Sequence, residues 1–170
     1  MPEGRILHGA SGGVQVLVYS GDIRYPSSLA LDSCLQRLLQ LSGLEGFVVD
    51  LTEVHSIDST HLGILARLAR AMQRMGLPRV TLISDRPAIN EVLAGVGLDR
   101  VFRIVPGWQE GTDGDVLREI PGMPMDRESL RQLLLASHRE LMALGEDNHE
   151  QFRDVVRAFE QEEAEGRKAG

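Results

Sequence analysis

Short apolar runs occur at regular intervals along the first hundred residues. They are rich in valine, isoleucine and leucine and end at glycine, proline or polar residues, which is typical of β-strands. Four such runs predict strands, at residues 14–20, 47–51, 80–84 and 101–105. A segment at 6–8 is placed to pair with the first of them. The run at 47–51 is almost continuously apolar, which is typical of a strand buried on both faces.

Between these runs, apolar residues recur every three or four positions, which is the spacing of one helix face. The spacing predicts three helices, which begin at Ser27 or Ser28, after Asp58 and at Pro87. Serine and aspartate are common helix caps, and proline is favoured in the first helical turn. Strands that alternate with helices indicate right-handed crossovers and a mostly parallel sheet. We therefore predict an α/β fold with a four- to five-stranded sheet that helices cover.

The pattern changes after Pro106. Residues 106–125 contain many glycines and prolines around one strand-like segment at 116–120, which predicts a connector. Two helical patterns follow, one capped by Asp126 and one after Gly145. Their apolar positions are Leu130, Leu133, Leu134, Leu141, Met142, Phe152, Val155, Val156 and Phe159. We therefore predict three parts: a domain at 1–105, the connector at 106–125 and a helical extension at 126–165.

The apolar surface of this extension is larger than a monomer usually exposes. We expect its two helices to pack as a hairpin against the sheet or the first helix, or to exchange between the protomers of a homodimer. The acidic cluster at 160–165 predicts a solvated, fraying helix end.

Composition restricts the kinds of partner. With 18 Lys and Arg against 25 Asp and Glu, the chain has a net charge of −7, which opposes binding to nucleic acid or to a membrane surface. A protein partner is favoured. The sequence shows neither a secretory signal nor an apolar run of about 20 residues that could span a membrane, so we expect a cytoplasmic protein. The single cysteine, Cys34, excludes an internal disulfide, and its helical spacing predicts a buried, inert thiol.

The most informative residues are Asp58, Ser59 and Thr60, at the predicted start of the second helix. Each side chain can accept a hydrogen bond from the free N–H groups of a first helical turn. A hydroxyl in that position is also accessible to a kinase, and the helix N-terminus partly offsets the charge of a phosphate. We therefore predict that Ser59 is exposed and open to modification.

Two other kinds of chemistry fit the same segment poorly. His55, Asp58, Ser59 and His61 include the residue types of a hydrolase triad, but they lie within seven residues and lack the Gly-x-Ser-x-Gly elbow. The two histidines have no further obvious metal ligands, and we expect both to face solvent. We therefore predict a protein that is not an enzyme, with no catalytic residues, no metal site and no cofactor.

Residues 49–65 resemble the signature of the STAS domain, the fold of the anti-sigma factor antagonists. In that family a buried strand ending in Asp-Leu leads through a loop to Asp-Ser-Thr/Ser-Gly-Leu-Gly. This chain matches all of these positions except one, because His61 replaces the usual glycine. Histidine adds bulk and a group that titrates near neutral pH. Further likenesses at 20–23 and 97–102 extend the resemblance over about residues 6–105.

The resemblance implies a fold and a phosphorylation switch. Family members bind an anti-sigma factor, often a serine kinase, and thereby release a sigma factor, whereas phosphorylation of the motif serine blocks that binding. A serine phosphatase is a further expected partner. The alternative is a STAS domain that acts as a scaffold or senses a ligand without phosphorylation at Ser59. Carried over to this chain, the phosphorylation site is Ser59 and the partner-binding residues are Asp22, Asp58, Thr60, His61 and Gly63.

Overall fold

The computed structural model describes residues 3–108 and 116–169. Its strands are β1 (Arg5–Ser11), β2 (Val14–Ile23), β3 (Gly46–Ile57), β4 (Thr81–Ile83), β5 (Arg103–Val105) and β6 (Arg118–Glu119). They form one sheet in the order β5-β4-β3-β2-β1-β6. Strands β2 to β5 are parallel, whereas β1 runs antiparallel to both of its neighbours. The predicted α/β fold with a mostly parallel sheet is confirmed, and the connector adds a sixth strand.

Five α-helices accompany the sheet in the described residues. They are α1 (Ser28–Leu38), α2 (Ser59–Arg74), α3 (Pro87–Gly95), α4 (Arg127–Met142) and α5 (Glu146–Ala169). Both α2 and α4 follow a capping aspartate, Asp58 and Asp126, whose side chain accepts a main-chain N–H. Ser27 precedes α1, but its hydroxyl donates to the carbonyl of Arg24 instead of capping the helix. None of these five helices combines the length and the apolar character that a membrane span requires.

Strand β3 is much longer than its apolar run at 47–51 predicted. It continues to Ile57 because its polar second half stays paired with β2, across register shifts after Val18 and Gly21. Such irregularities bend a strand and increase its twist. As a result, Ile23 and Ile57 are partners at the carboxyl ends of two parallel strands. The segment before Asp58 is therefore a strand end, fixed against the end of β2, where we expected a loop.

Helix α2 lies in the middle of the molecule. Every residue from Thr60 to Ala66 is buried, although an amphipathic helix on one sheet face usually exposes a polar side. The residues of the predicted stripe, such as Leu65 and Leu68, belong to the main core. The opposite side of α2 is covered by α4, which also contacts α1 and α5. Two layers of helices therefore lie over this part of the sheet.

The predicted hairpin of C-terminal helices occurs within one chain, but its position differs from our expectation. Helix α4 packs mainly against α2, rather than against the sheet or α1 alone. Leu133, Leu141 and Phe152 from the hairpin join the main core. At its turn, the Asn148 amide donates to the carbonyls of Val96 and Leu141, each at 2.8 Å. The hairpin is therefore a packed layer of the structure.

The acidic end of α5 is mostly exposed, as predicted, but it is not the end of the helix. The helix continues to Ala169, and two of its glutamates form ion pairs with α4. Glu160 lies 2.8 Å from Arg139, and Glu163 lies 3.7 Å from Arg131. Part of the cluster that we expected to be solvated therefore ties the two helices together, although exposed pairs contribute only about 0–1 kcal/mol each.

Cys34 is buried on α1, as its spacing predicted. Burial raises the pKa of its thiol, and the nearby Arg37 opposes this effect only in part. Because the thiolate is the reactive form, this cysteine is a core residue of low reactivity.

Candidate functional site

The site predicted from the sequence lies where β2 and β3 end. Asp22 and Ser56 are partners in the two strands, and the Ser56 hydroxyl donates to Asp22 at 2.7 Å. The guanidinium of Arg24 donates to the same Ser56 oxygen at 3.2 Å. Asp22 is partly exposed, whereas Arg24 and Tyr25 are exposed. This edge therefore presents a charged and aromatic rim on a fixed backbone.

Asp58 connects this edge to α2. Its backbone N–H donates to the carbonyl of Ile23 at 3.0 Å. Its carboxylate accepts the N–H of His61, also at 3.0 Å, while the backbone is extended at φ −85° and ψ 168°. This is the geometry of a helix N-cap. Asp58 therefore orders the start of the helix, and its partly exposed carboxylate adds negative charge beside Ser59.

Ser59 is the first residue of α2, and its side chain faces α4. Its hydroxyl lies 2.8 Å from Nε2 of His138, and Nδ1 of that ring lies 2.6 Å from the carbonyl oxygen of Leu134. Because a carbonyl only accepts, Nδ1 donates to Leu134, and in the corresponding neutral tautomer Nε2 accepts from the serine. Ser59 is only partly exposed. The prediction of an exposed hydroxyl is therefore wrong, because α4 partly covers this position.

His138 is a site residue that the sequence reasoning missed. Only 5% of its surface is exposed, and its ring centroid lies 5.8 Å from those of both Phe152 and Phe159. One signal was available, since His138 follows Leu134 by four positions and precedes Leu141 by three. A polar residue inside an apolar stripe usually has a specific hydrogen-bonding partner. The pattern did not indicate that this partner is Ser59.

Gly63 marks the closest approach of α2 and α4. A Cβ atom at this position would clash with the carbonyl oxygen of Ser137 and lie 2.7 Å from its Cβ. Two turns further along α2, Arg70 pairs with Glu140 at 3.2 Å. Thr60 is 4% exposed. Thr60 and Gly63, predicted from the resemblance to contact a partner, are therefore both buried, and Gly63 lies against α4 of the C-terminal hairpin.

His61 is fully buried, which corrects the prediction that it faces solvent. Its Nε2 atom lies 2.8 Å from the carbonyl oxygen of Arg24 and 3.0 Å from the hydroxyl of Ser27. The ring therefore holds the turn before α1 against the first turn of α2. Burial lowers the pKa of His61, while Asp58 and the contact with Arg24 oppose that shift. Nδ1 has no hydrogen-bond partner among the described residues.

His55 is exposed on β3, as predicted. Among the residues that the structure describes, no three His, Cys, Asp or Glu side chains are arranged to hold a metal ion.

Comparison with known families gives one match. The sequence model of the STAS domain matches residues 9–111. This range includes Asp22 and the segment from Asp58 to Gly63, and it ends before α4 begins. A search of curated proteins gives no match.

Solved structures share the fold at low sequence identity. An anti-sigma factor antagonist from Mycobacterium paratuberculosis has a TM-score of 0.53 and 24% identity, over 64% of this chain and 91% of that one. The unphosphorylated form of Bacillus SpoIIAA, also an anti-sigma factor antagonist, has a TM-score of 0.52 and 13% identity, over 58% and 85% of the two chains. The protein TM1081 has a TM-score of 0.52 and 20% identity, over 58% and 78%.

Proposed function

Because the chain belongs to the STAS-domain family, we propose that it is an anti-sigma factor antagonist whose binding is switched by phosphorylation of Ser59. The observation that carries the proposal is the position of Ser59. It follows the Asp58 cap at the start of α2, beside the ends of β2 and β3. Solved structures that share this fold include anti-sigma factor antagonists. In this proposal the protein acts by binding and catalyses no reaction.

The rim at the strand ends has the chemistry of a protein-binding surface. Arg24, Tyr25 and Pro26 are exposed in the turn before α1, and Tyr25 has 47% of its surface accessible. Tyrosine and arginine are enriched among the residues that dominate binding energies at interfaces. Asp22 and Asp58 add two carboxylates next to them. An anti-sigma factor with a basic and apolar contact surface fits this rim.

Phosphorylation would change the charge of this surface. A phosphoserine adds about 1.5 to 2 negative charges at pH 7. At Ser59 these charges would lie beside the carboxylate of Asp58, while the N-terminus of α2 would offset them in part. A bound partner would have to desolvate them. A serine kinase and a serine phosphatase would set the fraction of the protein that is able to bind.

The pair of Ser59 and His138 favours a second candidate, a serine hydrolase. The serine donates to Nε2, and the other ring nitrogen is oriented by a carbonyl, as in nucleophile and base pairs. However, His138 is buried under Phe152 and Phe159, which leaves little room for a substrate above it. A fluorophosphonate probe distinguishes the two functions, since a hydrolase would be labelled at Ser59 and a binding module would not.

A cavity of about 510 Å³ favours a third candidate, a STAS domain that senses a small molecule. It lies beside Asp22 and Arg24 and is lined further by Ile6, Leu31 and Ile120. Its volume is in the range of small-molecule sites. Several of its charged side chains already have partners, however, since Arg5 pairs with Glu119 and Arg24 donates to Ser56. The anti-sigma factor antagonist therefore remains the better supported function.

Affinity capture tests the proposal. Full-length protein and its Ser59→Ala and Ser59→Asp variants would serve as baits in an extract of the source organism. We expect the first two to retain an anti-sigma factor and Ser59→Asp to retain less of it, since aspartate supplies only part of the charge of a phosphate. Arg24→Ala with Tyr25→Ala, on the exposed rim, should lose the same protein. Retention of an anti-sigma factor by none of the baits would contradict the proposal.

A further inference from the structure

We propose that the α4–α5 hairpin competes with the partner for one face of α2. The hairpin must move away before Ser59 is phosphorylated or before the partner binds this face. This inference rests on the proposed function and concerns the regulation of the same site. The covered face consists of Ser59, Gly63, Ala66 and Arg70, which follow the spacing i, i+4, i+7 and i+11 along one side of α2. Helix α4 occupies that side.

The contact between the two helices is polar at its ends and close in its middle. Ser59 bonds to His138 at one end, and Arg70 pairs with Glu140 at the other. Between them, Gly63 touches the backbone of Ser137. Glycine and serine allow this approach because neither side chain separates the helices. The seam therefore combines small residues and two polar contacts with Leu133 and Leu141 of α4, which belong to the main core.

The closed arrangement restricts access to Ser59. Its hydroxyl is already hydrogen-bonded to the buried ring of His138. A kinase needs the hydroxyl free and its surroundings open, and a phosphate would place three further oxygens against α4. A phosphorylated Ser59 and a closed hairpin therefore exclude each other. The unmodified protein binds its partner only in the open form, while the phosphorylated protein is open and repels the partner by its charge.

The chain leading into α4 permits such a movement. Residues 121–126 are all exposed, so their displacement uncovers no core. Among the described residues, no main-chain hydrogen bond joins the hairpin to the matched domain. The hairpin is held there by packing and by side-chain contacts such as that of Asn148 with Val96. Opening would expose Leu133 and Leu141, and a partner that covers the face of α2 would offset this cost.

Thiol alkylation tests the closed state without a partner. In full-length protein carrying Ser59→Cys, iodoacetamide modification at position 59 is followed by mass spectrometry, which separates it from the buried Cys34. A second change, Ser137→Leu, enlarges a side chain at the closest approach and should raise the alkylation rate at position 59 about tenfold, a shift of about 1.4 kcal/mol in the opening equilibrium. Ser137→Ala keeps the Cβ atom and should leave the rate within about twofold.

A charge exchange gives the same readout if Ser137→Leu fails to fold. Glu140→Arg, again with Ser59→Cys, places like charges at the exposed end of the seam and should raise the rate. Adding Arg70→Glu reverses the pair and should restore the slow rate, because opposite charges face each other again. Equal alkylation rates in the parent and in every folded seam variant would overturn the proposal.

Genetically encoded phosphoserine at position 59 tests directly whether a phosphate there is incompatible with the closed hairpin. Amide hydrogen exchange in α4 should be faster in this full-length protein than in the unmodified form, while exchange in β3 stays the same. Equal or slower exchange in α4 would overturn the proposal, since it would mean that His138 accommodates the phosphate in the closed form. Neither experiment uses an anti-sigma factor. These experiments can therefore exclude competition by the hairpin without affecting the proposed phosphorylation switch. Failure of the switch in the binding experiments would likewise leave the results on the hairpin unchanged.

Discussion

His61 occupies the place of the family's usual glycine and acts as a structural residue. It is fully buried and joins the first turn of α2 to the turn around Arg24 and Ser27. A neutral ring suits this place, because one nitrogen donates to the Arg24 carbonyl and the other has no described partner. Protonation would place an unmatched N–H and a charge in a buried position.

The free energy of unfolding should therefore decrease in weak acid, because His61 becomes protonated in the unfolded chain. Burial lowers its pKa in the folded protein below the ordinary value of 6.5, so the unfolded chain takes up a proton first as the pH falls. The contribution of His61 to the free energy of unfolding is fully present above pH 6.5. It is lost as the pH falls below this value, by up to about 1.4 kcal/mol per pH unit. Urea unfolding at pH 7.5 and 5.5 measures this effect. His61→Gln, which keeps a donor but does not titrate, should show a smaller loss between the two pH values.

Equal losses in the wild type and His61→Gln would contradict this account of the ring. The other four histidines are common to both proteins, so their contributions cancel in the comparison.

At the scale of elements, the start of α2 depends on the Asp58 cap. Replacing Asp58 by alanine removes the acceptor for the His61 N–H and should lower the free energy of unfolding by about 1 kcal/mol. Asp58→Asn is the matched control, since asparagine caps as well as aspartate but carries no charge. Urea unfolding should place it near the wild type. A loss in Asp58→Asn as large as in Asp58→Ala would show that charge, and not capping, matters here.

The close crossing of α2 and α4 depends on the absence of a side chain at Gly63. Gly63→Ala should lower the free energy of unfolding by about 1–3 kcal/mol, because overpacking outweighs the better helix propensity of alanine. Gly95→Ala in α3 is a suitable control, since nothing lies within 4 Å of its added Cβ. Thermal unfolding should show a lower midpoint for Gly63→Ala alone. An unchanged midpoint would mean that the helices separate easily at this point.

At the scale of the whole molecule, the hairpin should be less stable than the sheet. Residues 15–17 of β2 and 47–51 of β3 are buried without interruption, whereas much of α5 is exposed. Local unfolding should therefore require less free energy in the hairpin than in these strands. Hydrogen exchange in low concentrations of denaturant should give α4 and α5 a lower opening free energy than β3. Leu141→Ala, at a fully buried position, should lower the value for the hairpin further, whereas Val155→Ala, at an exposed one, should not.

The alternation of strands and helices and the central motif could be predicted from the sequence because both are local patterns. The Asp58 cap and the buried Cys34 follow from spacing alone. The length of β3 could not, because its polar second half is held by pairing with β2. The burial of His61 and the bond between Ser59 and His138 depend on contacts between residues 34 and 79 positions apart, which no local pattern specifies.

The most direct test of the account is a calorimetric titration of the captured anti-sigma factor into three forms of the full-length protein. These are the unmodified protein, the protein phosphorylated at Ser59 and the Ser59→Ala variant, with mass spectrometry locating the phosphate. We predict binding of the first and third, and a loss of about 2–3 kcal/mol in the second, a factor of about 30 to 150 in affinity. Thr60 is buried and should carry no phosphate. Equal affinities for all three forms would contradict the proposal that Ser59 is the switch.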